Sequence, residues 1–242
     1  MSRNRRVTTV VVAQSNYVPW KGYFDLIHDA DLFVFYDDVQ YTKNDWRNRN
    51  RIKTSRGTEW ITIPTGPRLD RLVCEVEIEN PRWQRVHWKT LCQNYGRAPH
   101  FARYRSFFED LYLGRAWTGL SELNQHLIRS IARDLLGIRT ELRDAREYRA
   151  EGRKLDRLLD LVRQTGATTY LSGPSGRQYI DESRFSAIGV DLRFKSYDGY
   201  PEYPQSWPPF DHAVSVLDLL FHVGPEAPWY IWGWRDGPAQ SK

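Results

Sequence analysis

Paired acids, an arginine–asparagine ladder and a serine–glycine loop are the residues of this chain whose types and spacing could do chemistry. Asp37 and Asp38 are adjacent, and such a pair can act as a base or hold a metal ion. Between Lys43 and Arg56 stand six cations (Lys43, Arg47, Arg49, Arg51, Lys53, Arg56) and one acid, Asp45. Arginine offers a fork of donors, so Arg47 and Arg49, interleaved with Asn48 and Asn50, suit a carboxylate or phosphate. The plainer alternative is a solvated charged loop. Tyr41 and Trp46 among these cations could also stack on nucleotide bases. The run Ser172-Gly173-Pro174-Ser175-Gly176-Arg177-Gln178-Tyr179 puts hydroxyls, backbone donors and a guanidinium in one loop. It lacks the residue order of a P-loop or of a dinucleotide fingerprint, so it reads as an oxyanion site or as a simple turn. His87 lies one helical turn from Trp83, on the same face. It is a general base if an acid stands beside it, or a satisfied interior histidine.

These residues need a scaffold, and the chain supplies one. Val7 to Ala13 is a β-branched run typical of a strand buried on both faces. Gln14 to Trp20 is a polar loop. A helix follows over Lys21 to Asp29, and Leu32 to Tyr36 is a second buried strand ending at Asp37. This is a βαβ unit, and the doubly wound α/β class follows from it. Short strands are expected at Glu59 to Pro64, Val73 to Ile78, Ile138 to Leu142, Thr168 to Leu171 and Val190 to Phe194. Helices are expected from Arg82 to Tyr95, Phe101 to Leu113, Ser121 to Leu136 and Lys154 to Gln164, with one more near Val214 to Phe221. The expected architecture is a Rossmann-like, mostly parallel sheet flanked by helices. It is one domain over 1–237, with a helical insertion at about 82–136, an aromatic-rich C-terminal wrap and a frayed tail at 238–242. In such a sheet ligands bind at the carboxyl ends of the strands. Three segments fall there: Gln14 to Gly22, Asp37 to Asn50, and Ser172 to Tyr179. At the first, Lys21-Gly22 opens a helix whose N–H groups favour an anion, and the glycine admits a ligand closely. Trp20 and Trp46 stand in these loops, while most of the other tryptophans read as packing.

Composition sets bounds on function. The chain has 242 residues, with 40% hydrophobic, 27% charged and 14% aromatic, which excludes global disorder. No apolar run approaches the ~18 residues of a membrane span. The net charge of +5 equals that of the Lys43–Arg56 window, so the basicity is local. The excess of 28 Arg over 7 Lys reads as genome bias. Cys74 and Cys92 form no CxxC or Cys/His cluster, so no metal site is expected. There is no GxSxG and no HExxH, which disfavours serine-hydrolase elbows and zincins. The N-terminus lacks a signal h-region, and a cytoplasmic location is expected.

The segments AQSNYVPWKGYFDLIHDADLFVFYDDVQYTKNDWRNRNRIK, WITIP, TYLSGPSGRQYID, YPQSWPPF and SVLDLLFHVG resemble the WbqC-like family, in its order and across nearly the whole chain. The resemblance implies an amide-forming acyl or aminoacyl transferase acting on amino sugars or specialised-metabolite amines. On that reading His87, Asp37, Asp38 and Lys43 are the catalytic set. Gln14, Tyr17, Trp20, Gly22, Tyr23, Gln40, Trp46, Arg47, Asn48, Arg49, Asn50, Ser172, Gly173, Tyr179 and Gln205 bind substrate. The partners implied are a small amine acceptor and an activated acyl donor, carried by a carrier protein, CoA or aminoacyl-tRNA. The oligomeric state is left open. A second likeness is to HIGH-type nucleotidylyltransferases and ATP-dependent amide ligases, which carry histidine where this chain has Tyr23. ATP with magnesium belongs to that alternative alone, and no other cofactor is expected. A third reading is a tRNA or nucleic-acid binding module using the basic window.

Overall fold

The computed structural model describes residues 8–178 and 180–237. Two compact units emerge, each assembled from separate stretches of chain. The first takes in the chain up to Gln14, Asp25–Asp38 and Ile138–Asp198; the second holds Ser15–Phe24, Val39–Gly137 and the chain from Gly199 onward.

The first unit is built on strands β1 (Thr9–Ala13), β2 (Leu32–Phe35), β5 (Glu141–Asp144), β6 (Thr169–Ser172) and β7 (Asp191–Phe194). They form one sheet in the order β5-β2-β1-β6-β7, and every pairing is parallel. Val10, Val11, Val12 and Ala13 pair with Leu32, Phe33, Val34 and Phe35. These apolar runs do not alternate because both faces of the sheet are covered. The chain runs outward from β1 in one direction through β2 and β5, then returns to the other side of β1 for β6 and β7. That is the doubly wound arrangement, and its switch point lies between β1 and β6. Helix α5 (Leu155–Thr165) packs Leu158, Leu161 and Val162 into the core with Val10, Val34 and Tyr170, and Gly166 (φ 71°) ends it in the left-handed conformation. Helix α6 (Glu182–Ala187) adds Phe185, whose ring stacks on Tyr170 with centroids 5.0 Å apart. The Thr140 hydroxyl donates to the Ile27 and Ala30 carbonyls at 2.7 and 3.0 Å, closing the end of helix α1 (Lys21–His28).

The second unit combines an antiparallel hairpin, β3 (Arg49–Thr54) with β4 (Gly57–Thr62), and helices α2 (Arg82–Tyr95), α3 (Phe101–Leu113), α4 (Leu120–Ser130), α7 (Val216–Val223) and α8 (Ala227–Ile231). Its core is aromatic. The Phe221 ring lies 5.1, 5.4 and 5.2 Å from those of Phe101, Phe108 and Tyr95. Trp83, Trp88 and Trp117 are buried, as expected of packing tryptophans.

The α/β class, the parallel sheet and the flanking helices match the sequence reading. Several local expectations change. Val73 to Ile78 is no strand: Val73–Glu75 is a 3₁₀ turn, in which the Glu75 carboxylate accepts the Leu72 N–H at 2.8 Å. The latter half of the basic window is a strand, not a loop. Helix α4 stops at Ser130, and a wider π turn carries the chain over Ile131–Leu135. The strand expected from Ile138 begins instead at Glu141. The C-terminal stretch gains α8 beside the expected helix. Val7, Tyr179 and the tail at 238–242 lie outside the described residues. Among the described residues no helix is long and apolar enough to cross a membrane.

Candidate functional site

In the first unit, the carboxyl end of the sheet gathers Gln14, Asp37, Asp38, Ser172 and Gly173. Gln14 follows β1, and Ser172-Gly173 closes β6 across the switch point. The loop then turns back as a 3₁₀ helix over Pro174–Gln178. Gly176 is obligatory in that turn: a Cβ there would collide with the Ser172 Oγ and come within 2.9 Å of Ile180. Gly173 has room, with the Tyr197 hydroxyl 3.6 Å from where its Cβ would stand.

Asp37 is fully buried at the end of β2. Asp38 is held by Arg157 from α5, whose guanidinium pairs with Oδ2 and donates at 3.0 Å to the Asp38 carbonyl. The other carboxylate oxygen, Oδ1, is buried and accepts no hydrogen bond among the described residues. Elsewhere in the same unit, Asp25, His28 and Asp29 converge with ligand atoms within 4.8 Å of one another. Lys195 supplies the positive charge there, 2.9 Å from Asp25 and paired with Asp29 as well.

The second unit holds the remaining sequence-predicted residues, and it uses many of them as braces. His87 is buried on α2. Burial pushes its pKa down to about 4, so the imidazole is neutral at physiological pH. Its Nδ1 accepts from the Tyr17 hydroxyl at 2.9 Å, and that hydroxyl also meets Tyr112 at 2.6 Å. His87 and Tyr17 therefore take the interior role, not that of base and substrate ligand. The Asn50 amide donates to the Tyr17 and Val18 carbonyls at 3.0 and 2.9 Å. It thereby fixes a turn in which Val18, a β-branched residue, sits at φ 35°. Asn48 donates to the Ile63 carbonyl at 3.1 Å. Gln40 donates to the Arg71 carbonyl at 3.3 Å, beside its bridge to Leu72. Gly22 is open, but to the indole of Trp20: a Cβ there would strike the ring. The close approach expected of a ligand is made by the protein itself. Tyr23 is buried. Lys21 reaches the Pro201 carbonyl at 3.3 Å and lies over the Tyr200 ring at 4.7 Å.

The basic window is largely neutralised within its own unit. Arg47 pairs with Asp45, Arg51 with Asp211 at 3.8 Å and Arg56 with Glu59 at 2.8 Å. Lys53 is buried and donates to the Pro209 carbonyl at 2.6 Å. Lys43 is exposed, and Arg49 lies over Trp60 at 4.1 Å, with Trp46 a further 5.2 Å from that ring.

Sequence reasoning missed one cluster in this unit. Asp218, fully buried on α7, accepts from Tyr95 at 2.8 Å, Tyr203 at 2.7 Å and Gln205 at 2.8 Å. Gln205 thus works inside this cluster. His222 lies one turn further along α7, with Nδ1 2.7 Å from the Asp218 carbonyl. The readable signal was Asp218-x-x-x-His222 inside SVLDLLFHV, a four-residue spacing that puts both on one helix face.

Comparison with known proteins identifies the family. The model of the WbqC-like protein family matches residues 14–230. The chain belongs to that family. It is 47% identical over 224 residues to the uncharacterized protein Rv1507c of Mycobacterium tuberculosis, covering 92% of this chain and 96% of that one. No solved structure matches. The matched span begins at Gln14, directly after β1, and takes in Ser172 at the end of β6.

Proposed function

We propose that the protein is a biosynthetic transferase of the cytoplasm that forms an amide by moving an acyl or aminoacyl group onto an amine. The acceptor is an amino sugar or a specialised-metabolite amine, and the enzyme serves a polysaccharide or natural-product gene cluster. The observation that carries this reading is Asp38. Its carboxylate stands just beyond the carboxyl end of β2, anchored through Oδ2 by Arg157, with Oδ1 buried and without a partner among the described residues. A buried carboxylate oxygen without a donor is costly unless something else supplies one. An acceptor amine is such a donor. As the nitrogen attacks the acyl carbon, Asp38 takes its proton, the C–N bond forms and the bond to the leaving oxygen or sulfur breaks. The proton then passes to the leaving group. Backbone N–H groups of the Ser172–Gly173 turn suit the developing oxyanion.

A second reading, nucleotidyl transfer or ATP-dependent amide ligation, is favoured by the strand order. A doubly wound sheet with its switch point at β1 and β6 is where nucleotides bind in such folds. The two readings part on one measurement. The full chain is incubated with an amine and either ATP, magnesium and a free acid, or a preformed acyl thioester or aminoacyl-tRNA, and amide product is read by mass spectrometry. Product from the preformed donor without ATP, lost in Asp38→Ala, supports acyl transfer. Product only with ATP supports ligation, and undiminished product in Asp38→Ala removes Asp38 from the chemistry.

A further inference from the structure

The second unit contains a serine hydrogen-bonded to a histidine whose other ring nitrogen bonds a backbone carbonyl, with the carboxylate of that same residue at ion-pair distance. The Ser206 Oγ is 2.8 Å from Nε2 of His222. On the far side of the ring, Nδ1 lies 2.7 Å from the Asp218 carbonyl and 3.6 Å from its Oδ1. A carbonyl can only accept, so Nδ1 carries the proton and Nε2 presents its lone pair to Ser206. The Ser206 N–H shares that lone pair at 3.1 Å and fixes the loop against the ring. Asp218 is itself held by Tyr95, Tyr203 and Gln205, so the imidazole sits on a fully ordered support. Burial alone would pull the His222 pKa down, but Asp218 more than offsets this and raises it.

Three features distinguish this arrangement from a simple loop tether. His222 is buried, yet it borders a cleft of about 510 Å³, the size of a small organic ligand site. Its lining combines apolar Pro204, Val223 and Pro225 with the polar groups of His100, Glu226 and Tyr230. Ser206 is half-buried, and the next residue, Trp207, holds a left-handed backbone (φ 62°) that a bulky side chain rarely adopts. Strained backbone beside a hydrogen-bonded serine–histidine pair is a feature of functional sites. No GxSxG elbow is present, but such pairs are recognised by geometry and not by sequence position.

We propose that Ser206 is a catalytic nucleophile, with His222 as its base, and that it accepts an acyl group from an activated ester or thioester seated in the cleft that His222 borders. In the step, the Oγ–C bond forms as the Ser206 proton passes to Nε2. The carbonyl then expels the alcohol or thiol, which takes that proton from Nε2, and the acyl group remains on Ser206 as an ester. An amine or water attacks this ester and releases the serine. The donor class rests on the acyl-transfer reading above; the nucleophile rests on the geometry of this unit.

The experiment uses the full chain, a fluorophosphonate probe, p-nitrophenyl acetate and glycinamide. A single adduct on the peptide bearing Ser206 is expected, together with a p-nitrophenol burst of one equivalent. Ser206→Ala abolishes both, and His222→Gln slows labelling by about 100-fold, with circular dichroism confirming the folded state. No adduct on Ser206 in the wild-type protein, or labelling of His222→Gln at the wild-type rate, overturns the proposal. The adduct site in wild-type protein decides the matter even where a variant does not fold. Amide formation that survives Ser206→Ala sinks the nucleophile and leaves the transferase reading standing. A burst at Ser206 with no glycinamide product does the reverse.

Discussion

The Tyr17 hydroxyl stands 2.9 Å from Nδ1 of His87, inside the second unit and away from water. A neutral imidazole can accept that hydrogen bond and a protonated one cannot. Burial of the ring disfavours its charged form and is why its pKa falls from 6.5 to about 4; the Tyr17 bond suits the same neutral state. The unfolded chain binds the proton more readily, so stability from this site is present above pH 6.5 and is lost as pH falls toward 4. A shift of this size corresponds to about 3 kcal/mol at most. Urea unfolding from pH 7 to 4 is expected to show that loss, and His87→Gln, which does not titrate, is expected to flatten the slope. An unchanged slope in the variant would assign the acid sensitivity elsewhere.

Asp218 is a fully buried carboxylate with three side-chain donors. Tyr95, Tyr203 and Gln205 all donate to it; the two tyrosines are buried, while Gln205 is half-buried. Asp218→Ala leaves the two buried tyrosine hydroxyls without their acceptor, while Gln205 keeps the Asp211 carbonyl, and a loss of about 2–5 kcal/mol is expected, since each buried orphan costs ~1–3 kcal/mol. Tyr203→Phe removes one donor and leaves the acceptor satisfied, so it is expected to cost only about 1 kcal/mol. Chemical denaturation of the two variants checks the ranking; equal losses would contradict it.

What could be read from the sequence follows from how local each signal is. The TVVVA and LFVF runs state their own burial, and the RWQRVHWKTLCQNY and FARYRSFFEDLYL helices end where Gly96 and Gly114 stop them. Strand β3 was illegible for the opposite reason. Its inward positions include Asn50 and Lys53, whose partners are the carbonyls of Tyr17, Val18 and Pro209, far away in the chain. Polar residues that satisfy distant backbone look, in sequence, like a solvated loop. The same limit hid the Asp218 cluster, because Tyr95 and Asp218 are 123 residues apart. It also turned Gly22 into an expected ligand contact, when the group beside it is the ring of Trp20.

The Asp38–Arg157 pair is a positional device for the proposed site. Both side chains are largely withdrawn from solvent, and Arg157 engages the Asp38 carboxylate and carbonyl together. Arg157→Ala is expected to cost about 1.5–3 kcal/mol, the value of hydrogen bonds to a charged group. Arg157→Lys retains charge but not the fork, and should recover only part of it. Asp38→Ala and Arg157→Ala combined are expected to cost less than the sum of the two, because the second change finds the contact already gone. Strict additivity in the double-mutant cycle would show that the two side chains do not act as a pair.

The Ser172 turn gives a contrast between two glycines three residues apart. Gly176 is buried against Ser172 and Ile180, and a methyl there must displace the Ser172 hydroxyl and the end of β6 with it. Gly176→Ala is expected to cost about 1–3 kcal/mol, as overpacking does, and to lower activity by moving the oxyanion donors. At Gly173 the nearest atom is the Tyr197 hydroxyl at 3.6 Å, an ordinary contact distance. Gly173→Ala is therefore expected to leave the unfolding midpoint within about 0.5 kcal/mol of wild type. Any loss of turnover in that variant reports the methyl's intrusion on a substrate and not damage to the fold. Measuring both variants for stability and for amide formation separates the two effects: a Gly173→Ala protein that is stable and fully active would take this turn out of the substrate's path.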